Sequence, residues 1–279
     1  MDARVRLARP SDKAPLMSFI KKVWGGHDYI PQVWDGWLRD PRGIVSVVEV
    51  GGVPLGMNRV QFLEDGSAWF EGVRVHPDYR GQGLATLLGE NSMRVARERG
   101  VGVFRLTSGS TNKLAHRQIA RMRFNEVSRF SVYAPRSLSQ GAGGARKAEV
   151  DELDEVSTTM ESSKEYSLGS GVFWDNYTAA SVTPEVLGKL VREGAVWRRG
   201  KAVGVARLGA GGAWEQVCFV GGPPSDAVPL AAFLVGRKKA AREHWVFVPQ
   251  GSPIIKGLRE KGFRRNFAMI LFERRVANG

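Results

Sequence analysis

A chain of 279 residues, 43% hydrophobic and 25% charged, has the length of two ordinary domains and the balance of a soluble globular protein. No apolar run approaches the roughly 18 residues of a membrane span, and one cysteine, Cys218, excludes a disulfide framework or a cysteine-based metal site. The net charge of +13 raises nucleic acid as a partner, but Lys and Arg are dispersed apart from short clusters such as Arg237-Lys238-Lys239 and Arg274-Arg275. No RNP-like or zinc-finger spacing accompanies them, so nucleic acid is not the expected partner. The opening segment lacks the apolar core of a signal peptide. A cytoplasmic protein with no metal and no membrane partner is the expectation, an oligomer remaining possible.

Val5 to Ala8 alternates as a short strand. Pro10-Ser11-Asp12 opens a helix through about Val23, with Leu16, Ile20 and Val23 on one face, and Gly25-Gly26 ends it. A second helix from Pro31 to Leu38 carries Trp34 and Trp37. Ile44 to Val50 and Leu55 to Phe62 are strands joined at Gly51-Gly52, and Asp65-Gly66 turns into a strand from Ala68 to Val75. After the Pro77-Asp78 turn comes Arg80-Gly81-Gln82-Gly83-Leu84-Ala85, then a helical pattern from Leu84, Leu87 and Leu88 to about Arg99. Val103 to Thr107 is a strand, Asn112 to Arg121 a helix, and Glu126 to Ala134 a strand.

Ser137 to Lys147 is Ser/Gly-rich and reads as a linker. The pattern then starts again. Asp151 to Ser163 is helical, and Thr183-Pro184-Glu185 caps a helix to Glu193. Ala195 to Arg198 and Ala202 to Leu208 form a hairpin at Gly200, and Trp214 to Val220 is a strand. Val228 to Arg242 is a helix, Trp245 to Val248 a strand, Ser252 to Lys261 a helix, and Phe267 to Phe272 the closing strand. The two halves share nearly one element order, which predicts an internal duplication.

The stretch from Glu71 to Glu90 organises the first half. Strand, glycine loop and helix N-terminus together make a phosphate site. The first helical turn has free N–H groups at the positive end of the helix dipole, and Gly81 and Gly83 let the backbone approach an anion closely. The Walker and dinucleotide glycine patterns are both absent. The second half has Gly221-Gly222-Pro223-Pro224-Ser225-Asp226 instead, where prolines remove donors and the acid repels phosphate.

Arg-x-x-Gly-x-Ala directly after a V-x-V-x-P strand resembles the coenzyme A pyrophosphate loop of the GNAT superfamily of N-acetyltransferases. The resemblance implies an α/β (α+β) tandem GNAT fold, with a mixed central sheet flanked by helices. Residues 1–136 would be the catalytic domain, and 148–279 a degenerate copy lacking the coenzyme A loop. Acetyl-CoA is the implied cosubstrate. Arg80, Gly81, Gln82, Gly83, Leu84 and Ala85 would hold its pyrophosphate, and the strand edge at Val73 and Val75 its pantetheine amides. Asn112 matches an asparagine that family members use against the coenzyme.

The acceptor amine must lose a proton, and Glu71 is the candidate base, placed with Val73 and Val75 on one strand face by period-2 alternation. A solvent-facing acid at a strand end is the plainer reading of that residue. The family pattern N-x-x-A-x-x-x-Tyr followed by Gly-Phe is met by Asn112, Ala115 and Phe124. The tyrosine position, however, is Ile119, and the glycine position is Arg123. His116, one turn earlier, is the substitute acid candidate, with a structural histidine as its plainer reading. The stretch W-G-G-H-D-Y-I-P-Q-V-W-D-G-W-L resembles a loop of histidine N-acetyltransferase-like proteins. That likeness implies a small amino-acid-like amine, met by Asp28, Tyr29 and Arg74. The alternatives are a protein N-terminal or lysine acetyltransferase, and a non-catalytic coenzyme A-binding or nucleic-acid-associated module.

Overall fold

The computed structural model describes residues 2–138, 143–175, 177–209, 214–237 and 241–276. Lys238 and Lys239 of the basic cluster, and part of the expected linker, lie outside them. Two compact units are present: Met1–Leu106 with Lys113–Asn125 and Glu273–Gly279, and Thr107–Asn112 with Glu126–Phe272. These units do not follow a single cut between 136 and 148.

The first unit contains β1 (Ala3–Leu7), α1 (Lys13–Ile20), α2 (Ile30–Arg39), β2 (Gly43–Val50), β3 (Val53–Phe62), β4 (Ala68–Val75) and α3 (Leu84–Glu98). The start of β5 (Val103–Gly109) and α4 (Lys113–Arg121) complete the run. The strand order is β1-β2-β3-β4-β5. Neighbours are antiparallel except for β4 and β5, which pair in parallel through Ala68–Phe104 and Trp69–Arg105. The long crossover α3 is what a parallel pair requires.

Both sheet faces are covered. Leu16, Ile20, Ile30 and Trp34 from the first two helices pack on Val45, Val47 and Met57. Leu84 and Leu88 of α3 pack on Val48 and Leu55. Each fully buried aliphatic side chain contributes roughly 1.5–3 kcal/mol. The first helix stops at Ile20, short of the expected Val23, and Val23–Gly26 forms a separate 3-10 turn. Gly25 and Gly26 have φ of 65° and 92°, outside the right-handed α region, so the α-helix cannot run on through them.

The chain returns to this unit at its far end. Buried Arg105 pairs with Asp65 at 2.6 Å and Glu273 at 2.8 Å, and the Val276 N–H donates to the Gly102 carbonyl at 2.9 Å.

The second unit takes β6 (Asn125–Pro135) from Glu126 onward, then β7 (Arg146–Lys147), α5 (Leu153–Glu161), α6 (Lys164–Leu168), β8 (Val172–Asp175), β9 (Thr178–Ser181) and α7 (Pro184–Arg192). It continues with β10 (Val196–Arg199), β11 (Ala202–Leu208), β12 (Trp214–Gly221), α8 (Pro224–Val235), β13 (Glu243–Pro249), α9 (Ile254–Glu260) and β14 (Phe263–Arg275) as far as Phe272. The strand order is β14-β6-β13-β12-β11-β10-β7, with β12 and β13 parallel. The run β10-β11-β12-α8-β13-α9-β14 repeats the order of β2-β3-β4-α3-β5-α4-β6. The separate β8–β9 hairpin was not foreseen. It buries Phe173 and Trp174, while β14 is far longer than the expected Phe267 to Phe272. Helix α8 ends at Val235, before the expected Arg242.

Candidate active site

One glycine shapes the first unit's site. Gly72 in β4 has φ +68°, and a Cβ there would meet the Trp37 ring at 2.9 Å. Its left-handed backbone makes a β-bulge, because Arg59 pairs with Glu71 and Met57 with Arg74 while only Asn58 stands between. The bulge corrects the alternation expected for β4. Glu71 shares a sheet face with Arg74, the face that Met57 presents to α1 and α2, whereas Val75 packs toward α3. Val73 is exposed and Val75 half-buried.

Around that bulge, charged and aromatic groups meet. Arg59, its side chain only 4% exposed, donates to the Glu71 carboxylate and to Asp40 at 2.5 Å, and its guanidinium lies over Trp37 at 5.2 Å. The Asp28 carboxylate is fully buried and accepts from Arg74 at 2.6 Å and from the Ile30 N–H at 3.0 Å. Asp28 and Arg74, expected as separate contacts for an acceptor, are therefore bonded to each other. Arg74 lies over Tyr29 at 5.8 Å, and Tyr29 meets Trp37 edge-on at 5.9 Å. Tyr29 remains 38% exposed.

Three carboxylates, Asp28, Asp40 and Glu71, face three guanidinium groups, Arg42, Arg59 and Arg74, so the patch is balanced in charge within a basic chain. Burial pushes the Glu71 carboxyl above its ordinary value, with Asp40 adding to that and Arg59 opposing it. Burial also pushes the Tyr29 hydroxyl up, helped by Glu71. A carboxyl raised above its ordinary value is a stronger base than a free one.

The other end of β4 leads into the glycine loop. Glu71 and Val75 are four residues apart, about 13 Å along a strand. The Pro77–Tyr79 turn follows, then Arg80, exposed Gly81 at φ 79° and Gly83 at φ 83°. Gly83 is the N-cap of α3, and no side chain caps the first turn. The N–H groups from Leu84 and Ala85 onward are thus presented at the helix start. No atom lies within 4 Å of where a Cβ would stand on Gly81 or Gly83. Gln82 turns its amide back to the Asp78 carbonyl at 3.4 Å. An open, uncapped, glycine-lined helix start beside an exposed arginine fits the pyrophosphate of a coenzyme.

Asn112 belongs to the other compact unit, where its N–H donates to Gly109 at 3.0 Å. His116 is half-buried on α4, and Ile119, at the tyrosine position, is buried. Arg59, Asp40 and Trp37 were missed as site residues. Arg59 could have been found as the one charged residue inside the strand Val53–Phe62.

At the corresponding place in the second unit, the start of α8, Asp226 accepts from the Lys201 N–H at 3.0 Å. Glu165 accepts from Gly222 at 3.4 Å. Among the described residues no cluster of His, Cys, Asp or Glu suits a metal ion, and no helix is long and apolar enough to cross a membrane.

Residues 14–124 match the model of the acetyltransferase (GNAT) family. Histidine N-acetyltransferase of Xenopus tropicalis is 28% identical over 120 residues, 42% of this chain and 36% of that protein. Probable N-acetyltransferase 16 of Homo sapiens is 33% identical over 104 residues, 36% of this chain and 28% of that protein. The chain thus spans about a third of the length of these relatives. Among solved structures, a GCN5-related N-acetyltransferase from Sphaerobacter thermophilus superposes with a TM-score of 0.65 at 16% identity, covering 98% of this chain and 95% of the other. A Thermoplasma acidophilum protein gives 0.61 at 18% identity, covering 98% and 100%. These two likenesses run across both units. Loop, bulged strand and family match agree over residues 14–124, the stretch that matches the acetyltransferase (GNAT) family.

Proposed function

We propose that the protein is an acetyl-coenzyme A-dependent N-acetyltransferase for the primary amine of a small, amino-acid-like molecule. The observation that carries this reading is the uncapped helix start at Gly83-Leu84-Ala85, one strand length from the half-buried carboxylate of Glu71. Arg80 and the loop from Gly81 to Ala85 would hold the pyrophosphate, with the backbone of Val73 and Val75 offered to the pantetheine arm. Acetyl-coenzyme A supplies an activated acyl thioester.

The chain's own residues do the rest. The Glu71 carboxylate offers a cationic amine an acceptor oxygen in this patch. Tyr29 and Trp37 offer ring faces to it. Glu71, raised by burial, takes the ammonium proton at a carboxylate oxygen and leaves the nitrogen neutral. His116 and Asn112 keep their places in this reading as the candidate acid and a coenzyme contact, with solvent or the nascent ammonium as other sources of the proton. Arg74, fixed by Asp28, orients the Tyr29 wall. The likeness to proteins named histidine N-acetyltransferase supports an amino acid as acceptor. The repeated element order supports a degenerate second GNAT copy, and the one cysteine, Cys218, being buried suits a cytoplasmic setting.

The test is thiol release from acetyl-coenzyme A over free amino acids, polyamines and peptides. Turnover with amino acids above that with spermidine is expected. Turnover restricted to peptides would replace the acceptor, and no turnover with any amine would remove the enzymatic reading.

A further inference from the structure

A cleft of about 350 Å³ opens beside α3, with Thr86 at one end, Glu90 along its wall, and Arg97, Arg121, Arg123 and Arg274 gathered around it. Arg97 lies fourteen residues beyond Gly83, about 21 Å along the helix, so its arginines gather away from the glycine loop. Of the cleft arginines, Arg97, Arg121 and Arg123 are exposed and Arg274 is half-buried, and elsewhere the buried or half-buried Arg59, Arg74, Arg105 and Arg198 pair with Asp40, Asp28, Asp65 and Glu152. Among the described residues none of the four cleft arginines has a carboxylate partner. Half-buried Arg274 donates only to the Met122 carbonyl at 2.7 Å and to the Met93 sulfur at 3.2 Å. Its guanidinium is pushed below its ordinary value by burial and by the charges of Arg97 and Arg123. Glu90 is the one acid in the lining against four cations. Like charges assembled without counter-charges repel, and a bound anion would reverse the sign of that interaction.

Arg123 adds a separate observation. Its N–H donates to the Ala120 carbonyl at 2.9 Å, and that of Phe124 to Ile119 at 3.3 Å, which is a Schellman ending of α4 with Arg123 in the left-handed position at φ 58°. Glycine is the residue at ease there, and a Cβ is strained. A residue kept against local preference, beside three more of its charge, points to a function for the side chain.

We propose that this cleft binds a phosphate-bearing small molecule other than the coenzyme. Its volume is at the low end for a small-molecule site, and its charge matches a di- or polyanion. The site goes beyond the acetyltransferase reading and does not depend on it.

Inorganic pyrophosphate is the probe. Calorimetric titration in the presence of saturating coenzyme A should give one binding event. Arg123→Gly and Arg97→Gln should each weaken it by about tenfold or more, and Glu90→Gln should tighten it. Arg123→Gly should melt at or above the wild-type temperature in anion-free buffer, because glycine fits the backbone there. Arg97→Gln, on an exposed side chain, covers the case in which Arg123→Gly misfolds. Pyrophosphate affinity unchanged in these variants would overturn the proposal, as would displacement of pyrophosphate by coenzyme A. So would an absence of binding in the wild type. If coenzyme A itself does not bind, the titration is run without it in Arg80→Ala. Binding that survives Arg80→Ala and fails in Arg123→Gly locates the anion in the cleft, and the reverse pattern refutes it.

Discussion

Arg59 and Glu71 stand opposite each other across the β3–β4 ladder, and the guanidinium donates to the carboxylate while also serving Asp40. Glu71 is therefore held in place by a cation it shares, and burial still keeps its carboxyl above the ordinary value. On the proposed mechanism, Glu71→Gln lowers kcat by about 10²-fold near neutral pH. The deficit shrinks at high pH, where the amine is already neutral, and coenzyme affinity is unchanged. Steady-state kinetics across pH with one amino acid acceptor measure this, and wild-type turnover in the variant would place the base elsewhere.

The same group sets the acid limb of kcat/KM. The base works ionised, so activity falls as pH drops through its pKa, at a midpoint above the roughly 4.3 of a free glutamate. Arg59→Met removes the charge that favours the ionised form and should move that limb to higher pH. The stability effect has the opposite sense. A carboxyl raised by folding contributes stability below its unfolded pKa and loses it as pH rises through the folded one. Wild type should therefore lose stability relative to Glu71→Gln as pH rises through that range, read from urea melts at two pH values.

Asp28→Asn removes the buried carboxylate that pairs with the Arg74 guanidinium, itself 12% exposed. Breaking a buried pair in this way costs about 3–5 kcal/mol, which urea denaturation reads directly. Because Arg74 positions Tyr29, KM for the acceptor should rise more than kcat falls. An unchanged KM would mean that this wall does not meet the substrate.

Gly72→Ala places a methyl 2.9 Å from Trp37 on a residue with φ +68°. Overpacking and left-handed strain together predict a loss of about 2–4 kcal/mol. Thermal melting with acceptor kinetics checks it. A variant as stable as wild type would show that the bulge is not held by glycine.

Coenzyme A should bind with one site per chain. The first helix start is open, whereas the start of α8 carries Pro223 and Pro224 and directs Asp226 and Glu165 to backbone N–H groups. Calorimetry giving two sites would contradict this.

Local signals were legible where local physics decides. Gly81, Gly83 and the start of α3 at Leu84 fall where the glycine pattern put them. Thr183 caps α7 through the Val186 N–H as its sequence suggested. The bulge at Gly72 was not legible, since a glycine inside a strand pattern does not announce which side chains it turns over. Nor was the pair of Asp28 and Arg74, which joins residues far apart in sequence, or the three-way sharing of Arg59. The β8–β9 hairpin escaped because Val172 to Trp174 is too short an apolar run to separate from its surroundings.

The tie between Arg105 and Glu273 bears on the order of synthesis. Asn125 leaves the ribosome roughly 150 residues before Glu273 does, a wait of about 7–30 s at ordinary elongation rates. Throughout it, Arg105 has Asp65 but lacks its second carboxylate, and the Gly102 carbonyl has no Val276 to meet. The nascent first unit therefore gains Glu273 and Val276 only after the second unit has been translated, so a ribosome stalled between them would present that unit without these contacts to chaperones and proteases.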